Sequence, residues 1–187
     1  MRNIAPALLF DDLEDEDDGR RFMSGAVEIR QATPEEYGAV GALTVYVYVG
    51  EGYINPQSDY VPELADTDTR AETARILVAV HEGRIVGSLT LATPGTPFAD
   101  IARPGELEFR MLAVAKSARG LGVGSALVRH VIDTARAESF DAVVLTTMPL
   151  MKDARRMYDR LGFTHVPERD WLTMAGTPLT VMRMPLN

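Results

Sequence analysis

The 187-residue sequence predicts a mixed α/β fold in a single domain. Three observations carry this. Short apolar runs of strand length recur at residues 27–30, 76–80, 85–91, 106–115, 141–147, 163–166 and 178–185. Two segments between them, 122–138 and 152–161, place apolar residues at helical spacing. A strand, a helix and a strand follow one another from Glu106 to Thr147, the order of a right-handed parallel crossover.

The elements are legible in turn. Val27-Glu-Ile-Arg30 alternates apolar and polar residues, as a half-buried strand does. Thr33-Pro34-Glu35-Glu36 supplies an N-cap, a proline at the first helical position and acids in the first turn, so a helix is expected to about Val49. Residues 50–69 contain Gly52, Asn55, Pro56 and Pro62 and read as an irregular loop or short helix. Glu82-Gly83 sits between two β-rich runs and predicts a tight hairpin. Pro94, Gly95, Pro97 and Pro104 mark a loop before the next strand. In 122–138, Leu127, Val128, Val131 and Ala135 share one helical face. In 152–161, Ala154, Met157, Tyr158 and Leu161 do the same, and Gly162 ends that helix.

Composition narrows the function. With 46% hydrophobic and 25% charged residues the chain has the balance of a soluble globular protein, and no apolar run is long enough to span a bilayer. No secretory cleavage pattern follows the start, so no signal peptide is expected. There is no cysteine, which excludes disulfides, thiolate metal sites and a cysteine nucleophile and is compatible with a cytoplasmic location. His81, His130 and His165 stand at no metal-ligand spacing, and no metal is expected. The formal net charge is −8, of which −4 lies before Gly25 and −4 in the remainder. Residues 1–25 are therefore expected to form an acidic, disordered tail, with the folded domain at 26–187. An acidic body argues against nucleic-acid binding and is compatible with a cationic substrate such as an amine.

The segment Leu112-Ala-Val-Ala-Lys-Ser-Ala-Arg119-Gly-Leu-Gly-Val-Gly124-Ser125 carries the chemistry. Glycines allow sharp turns and close backbone approach, and a helix that starts in such a loop points free N–H groups at its mouth. That combination suits phosphate oxygens, and Arg119 adds a charged donor. A Walker A loop would need Lys then Ser or Thr after the last glycine, where Ser125-Ala126 stand instead. A dinucleotide fingerprint from Gly120 or Gly122 would need glycine where Ser125 or Leu127 stands. By itself the loop is equally a turn that lets a helix pack tightly on a strand.

It is not alone. Ala154-Arg-Arg-Met-Tyr158-Asp-Arg-Leu161-Gly162-Phe163 follows some thirty residues later. Together with Leu112-Ala113-Val114 and Arg119-x-x-Gly122-x-Gly124, this makes residues 106–163 resemble the GNAT superfamily of N-acetyltransferases. The resemblance implies a mixed, mostly antiparallel sheet of about six to seven strands, flanked by about four helices. Its central parallel pair, 106–115 and 141–147, would splay apart at a cleft for acetyl-CoA. Backbone groups of Leu112, Ala113 and Val114 would pair with the pantetheine arm. N–H groups of Arg119, Gly120, Leu121, Gly122, Val123, Gly124 and Ser125 would hold the pyrophosphate. The family often has asparagine where Met151 stands, so one side-chain contact to the cofactor is missing from this pattern.

Direct acetyl transfer to an amine needs a proton acceptor, a donor for the developing oxyanion and an acid for the leaving thiolate. By resemblance Tyr158 is the acid and the Val114 N–H the oxyanion donor. Glu108 is the base candidate, with Glu106 on the same strand parity as its substitute, and the competing role for Glu108 is an ion pair with Arg110 or another arginine. An aromatic and acidic acceptor wall is sought in Tyr53, Asp59, Tyr60, Glu63 and Trp171. The acceptor is expected to be a primary amine of a small molecule or peptide, the protein a monomer or homodimer, with neither nucleic acid nor membrane as partner. The alternative function is an acyl-CoA-binding regulatory module without turnover.

Overall fold

Along residues 26–186, which the computed structural model describes, eight strands and five α-helices follow one another. The segment expected to be an acidic tail lies outside the described residues. The strands are β1 (Glu28–Gln31), β2 (Arg75–His81), β3 (Arg84–Ala92), β4 (Glu106–Val114), β5 (Ala142–Thr147), β6 (Thr164–His165), β7 (Trp171–Leu172) and β8 (Pro178–Pro185). The helices are α1 (Tyr37–Gly50), α2 (Tyr60–Ala65), α3 (Thr67–Ala71), α4 (Val123–Ala137) and α5 (Lys152–Leu161). The sheet order is β1-β2-β3-β4-β5-β8-β6, with β7 on β8. Every pairing is antiparallel except β4 with β5. This is the fold class expected; residues 50–69, read as an irregular loop or short helix, lead into two short helices, α2 and α3, and the two-residue β7 is an added strand.

Local chemistry explains the boundaries. The Thr33 N–H donates to Glu36 Oε2 at 2.9 Å, closing a 3₁₀ turn over Pro34–Glu36 that leads into α1. Glu82 and Gly83 both have positive φ, 49° and 75°, so the β2–β3 hairpin turns with the twist of its strands. Asp66 caps α3 by accepting from the Thr69 N–H at 3.0 Å. Gly162, at φ 99°, ends α5.

Helices cover both faces of the sheet. Leu127, Val128, Val131 and Ala135 of α4 are wholly buried, at roughly 1.5–3 kcal/mol for each large side chain. A Cβ at Gly87 would lie 2.9 Å from Val123 Cγ1 and 3.1 Å from Leu127 Cδ1, so α4 rides directly over β3. On α1, Val40, Leu43, Thr44, Val47 and Tyr48 form the buried stripe. Gly41 of that helix faces the α2–α3 junction, where a Cβ would meet the Ala65 carbonyl oxygen. No helix among the described residues is long and apolar enough to cross a membrane.

Candidate functional site

The central parallel pair is joined at only three positions, Glu106↔Ala142, Leu107↔Val143 and Glu108↔Val144. Beyond them β4 continues to Val114 and β5 to Thr147 without pairing to each other. β5 remains bound to β8 and β4 to β3, so the two strands splay in the middle of the sheet. A β-bulge accompanies the splay. Ser88 pairs with Ala113 and Thr90 with Arg110, so one residue of β3 faces two of β4. Met111, buried at 5% exposure, absorbs the extra residue at φ 54°. A non-glycine residue there costs about 1–2 kcal/mol.

The bulge sets where the end of β4 points. Ala115 N–H donates to the Val86 carbonyl at 2.9 Å. Hydrogen-bonded and non-hydrogen-bonded pairs alternate in an antiparallel ladder, so Val114, opposite Gly87, falls in a non-hydrogen-bonded pair. Its N–H and C=O therefore point away from β3, to the side where β5 has diverged.

The glycine loop closes that end of the splay. Gly120 and Gly122 have φ of 80° and 78°, with nothing within 4 Å of a Cβ, so both are required by conformation. Gly124 sits close to its neighbours, since a Cβ there would lie 3.3 Å from the flexible Met157 Sδ and 3.7 Å from Val114 Cγ2. The start of α4, the end of β4 and α5 thus meet at one glycine. The helical ladder begins with Ala126 N–H to Gly122 C=O at 2.9 Å, so the N–H groups of Val123, Gly124 and Ser125 precede it. Arg119 holds an ion pair with Glu51 at 3.1 Å, and Lys116 lies 4.0 Å from the same carboxylate.

Tyr158 projects from α5 into a cluster of edge-to-face rings, 5.8 Å from Phe109 and 5.9 Å from Phe163 between centroids. Burial raises its pKa well above the usual phenol value, so it stays protonated and can only give its proton to a strong base or a leaving anion. Phe109 is the first β4 residue beyond the last pair with β5. Glu108, its neighbour, faces the opposite side of the strand by the period of two. Glu108 is fully buried. Its Oε2 accepts from the N–H groups of Ile101 and Ala102, each at 2.9 Å, and its Oε1 is buried without a partner among the described residues. Burial raises its pKa against the opposing pull of those two bonds.

Glu106 is chemically spent by comparison. It accepts from Arg169 Nη1 and Nη2 at 3.0 and 2.9 Å, from Arg183 Nε at 2.9 Å and from the Arg103 N–H at 3.0 Å. Burial pushes its pKa up, but these bonds outweigh it and hold the carboxyl below the usual range. A base substitute at Glu106 is thereby ruled out on geometry, since no lone pair is left over.

Comparison with known proteins agrees with this arrangement. Residues 26–163 match the model of the acetyltransferase (GNAT) family. The chain belongs to that family. It is 37% identical over 93 residues to "Probable N-acetyltransferase camello" of Xenopus tropicalis, a match covering 50% of this chain and 40% of that protein. It is 29% identical to the 5-NmdU N-acetyltransferase of Pseudomonas phage PaMx11, over 74% of this chain and 87% of that one. The fold is that of yncA from Salmonella typhimurium, solved with its cofactor acetyl-CoA, at a TM-score of 0.65 and 19% identity, over 87% of this chain and 95% of that one. The chain thus spans less than half of the camello protein's length.

Within this GNAT domain the acceptor candidates divide. Tyr53 packs edge-on against Tyr48 at 6.0 Å, and Tyr60 on α2 accepts from Arg110 Nη2 at 3.3 Å. Glu63 lies 3.7 Å from the same nitrogen, and Asp59 is exposed. Trp171 lines a cavity of about 410 Å³ with Asp100, Ile101, Arg103 and Arg169, and Asp100 ties that lining to the Arg110 nitrogen shared by Tyr60. No arginine among the described residues forms an ion pair with Glu108: Arg110 bonds Asp100 at 2.9 Å and the Phe98 carbonyl at 3.1 Å, and reaches Glu108 only through its field. Met151, in the position where asparagine was sought, packs against the core at the start of α5.

Three residues were missed by sequence reasoning. Arg110 was legible as a partner but not as the hub that joins β4 to Asp100 and Tyr60. Asp100 carried no signal inside a proline-rich loop. Tyr48 is buried near Tyr53, Tyr60 and Tyr158, and burial raises its pKa strongly. Only its place on the α1 stripe, four residues after Thr44, could have pointed to it.

Proposed function

We propose that the chain transfers an acetyl group directly from acetyl-CoA to a primary amine of a small molecule or peptide. The observation that carries this reading is the splay, with the Val114 N–H turned into it and Tyr158 and Glu108 approaching from opposite faces of β4. Family membership supports acetyl transfer in general, and the yncA structure supports acetyl-CoA as the donor.

Acetyl-CoA supplies the activated acyl group. The remaining work falls to side chains and backbone of this domain. N–H groups from Gly120 to Ser125 and the Arg119 guanidinium hold the pyrophosphate, with Arg119 exchanging Glu51 for phosphate oxygens; the Arg119 N–H, expected to join them, is instead given to the Lys116 carbonyl at 3.1 Å. Backbone groups of Leu112, Ala113 and Val114 run beside the pantetheine arm as a neighbouring strand would. The Val114 N–H donates to the acyl oxygen as negative charge grows there. Glu108 takes the proton of the amine at Oε1, directly or through one water, while Oε2 stays bound to the loop. Tyr158 gives its proton to the departing sulfur, and its raised pKa keeps that proton available at neutral pH.

Two substitutions test the roles. Tyr158→Phe should lower kcat by about 10²–10⁴-fold with the Kd for acetyl-CoA nearly unchanged. Glu108→Gln should remove the acid limb of the kcat/KM profile, a limb that lies above the ordinary carboxylate range because the folded pKa is raised. Acetyl-CoA binding with no thiol release across a broad amine panel would favour the regulatory module instead.

A further inference from the structure

The cavity beside Trp171 is described by its uncommitted groups. Its volume, about 410 Å³, is that of a small-ligand site. Of the charged side chains lining it, Asp100 is taken by Arg110 at 2.9 Å. Arg169 is taken by both oxygens of Glu106 and by the Ile101 carbonyl. Arg103 is left: its side chain is exposed and no carboxylate among the described residues lies within 4.0 Å of it. The indole N–H of Trp171 is likewise without an acceptor among the described residues. Both are donors only, so the polar partner they lack is an oxygen acceptor.

The backbone that carries Arg103 is fixed against the proposed base. Ile101 and Ala102 donate their N–H groups to Glu108 Oε2, and Arg103 donates its own to Glu106 Oε2. Three successive amides are thus locked onto two buried carboxylates. Glu108 stands directly behind the lining, since its Oε2 binds the N–H of Ile101, and the same short run of backbone carries Arg103. In a chain of net charge −8, this leaves the lining of the cavity with an unpaired positive group.

We propose that this cavity receives the acetyl acceptor, and that the acceptor carries a carboxylate close to its amine, held by Arg103 while the amine meets Glu108. The acceptor class is therefore small amino acids rather than plain cationic amines, the opposite of an acidic wall for a cation. This rests on the acetyl-transfer reading above. The test is a panel of free L-amino acids, their α-carboxamides and the corresponding amines lacking the carboxylate, each with acetyl-CoA and thiol-release detection. At least one amino acid should exceed its amide and amine by about tenfold or more in kcat/KM. Arg103→Gln should erase that preference through KM with kcat retained, and Arg103→Lys should restore part of it. The preferred amino acid should also protect the wild type, but not Arg103→Gln, from thermal unfolding. Equal rates on acids, amides and amines would overturn the acceptor class and leave acetyl transfer standing. Thiol release with none of the three series, in protein that binds acetyl-CoA, would overturn both.

Discussion

Glu106→Gln should destabilise the domain by about 3–5 kcal/mol, although the two side chains have nearly the same shape and differ by one NH₂ in place of a charged oxygen. The side chain of Glu106 is 7% exposed and that of Arg169 is 6% exposed. Four donors converge on the carboxylate: Arg169 Nη1 and Nη2, Arg183 Nε and the Arg103 N–H, all within 3.0 Å. A glutamine offers one oxygen and one NH₂, so the donors at one end lose their acceptor and meet another donor. Arg169 becomes a buried cation without a counter-ion, which sets the magnitude. For a domain of this size the midpoint should fall by roughly 6–20 °C. Urea denaturation and calorimetry measure it, and Glu138→Gln is the comparator. Glu138 binds Arg75 through the same chemistry at 2.8 Å, but with side chains 41% and 35% exposed, and its loss should cost less than about 1 kcal/mol. The folded pKa of Glu106 is depressed, so its contribution is complete above the unfolded carboxylate value and fades as pH falls toward the lower folded one. The acid limb of stability should be shallower in Glu106→Gln. Equal costs for the two substitutions would refute the claim that burial is what makes Glu106 matter.

Gly41→Ala should destabilise by at least about 1–3 kcal/mol, because its Cβ would collide with the Ala65 carbonyl and push α1 off the α2–α3 junction; a neutral melting curve would contradict this. Gly122→Ala meets no neighbour but must hold φ 78°, so it should cost about 1 kcal/mol in stability and weaken acetyl-CoA binding in calorimetric titration. The bidentate bonds from Arg30 hold Glu36 down at a pKa of about 2, against an ordinary value of 4.5. That contribution is full above about pH 4.5 and is lost as pH falls toward about 2, so Glu36→Gln should be destabilised relative to wild type at pH 6 and much less so at pH 2.

The sequence made elements legible wherever one local signal decided them. The spans 152–161 and 178–185 coincide with α5 and β8, since a helical stripe closed by Gly162 and a β-rich run between prolines leave few alternatives. The span of α1 was legible from its entry signal alone. The helix carries no charged residue, so its apolar pattern shows no face, whereas its burial follows a clear stripe. α2 and α3 were obscured by the glycines and prolines around them, although Asp66 and Thr69 form a recognisable cap. Within the site, the glycine loop and Tyr158 could be read because their signals are local in sequence. The bulge at Met111 could not, since nothing in the side chain asks for a positive φ. Nor could the commitment of Glu106, whose arginine partners lie 63 and 77 residues away. Neither could the freedom of Arg103, which is visible only once every neighbouring carboxylate has been assigned.

Three residue pairs are all that fasten β4 to β5, and this makes the sheet two leaves, β1–β4 and β5–β8, stitched at one corner. Such a joint is mechanically weak in plane, and each leaf can open as a unit of its own. An extended molecule with amides at strand spacing, laid along Val114, would splice the leaves by bonding to one and filling against the other. Its arrival should then be felt far from its phosphates: amide exchange along β5 and β8 should slow.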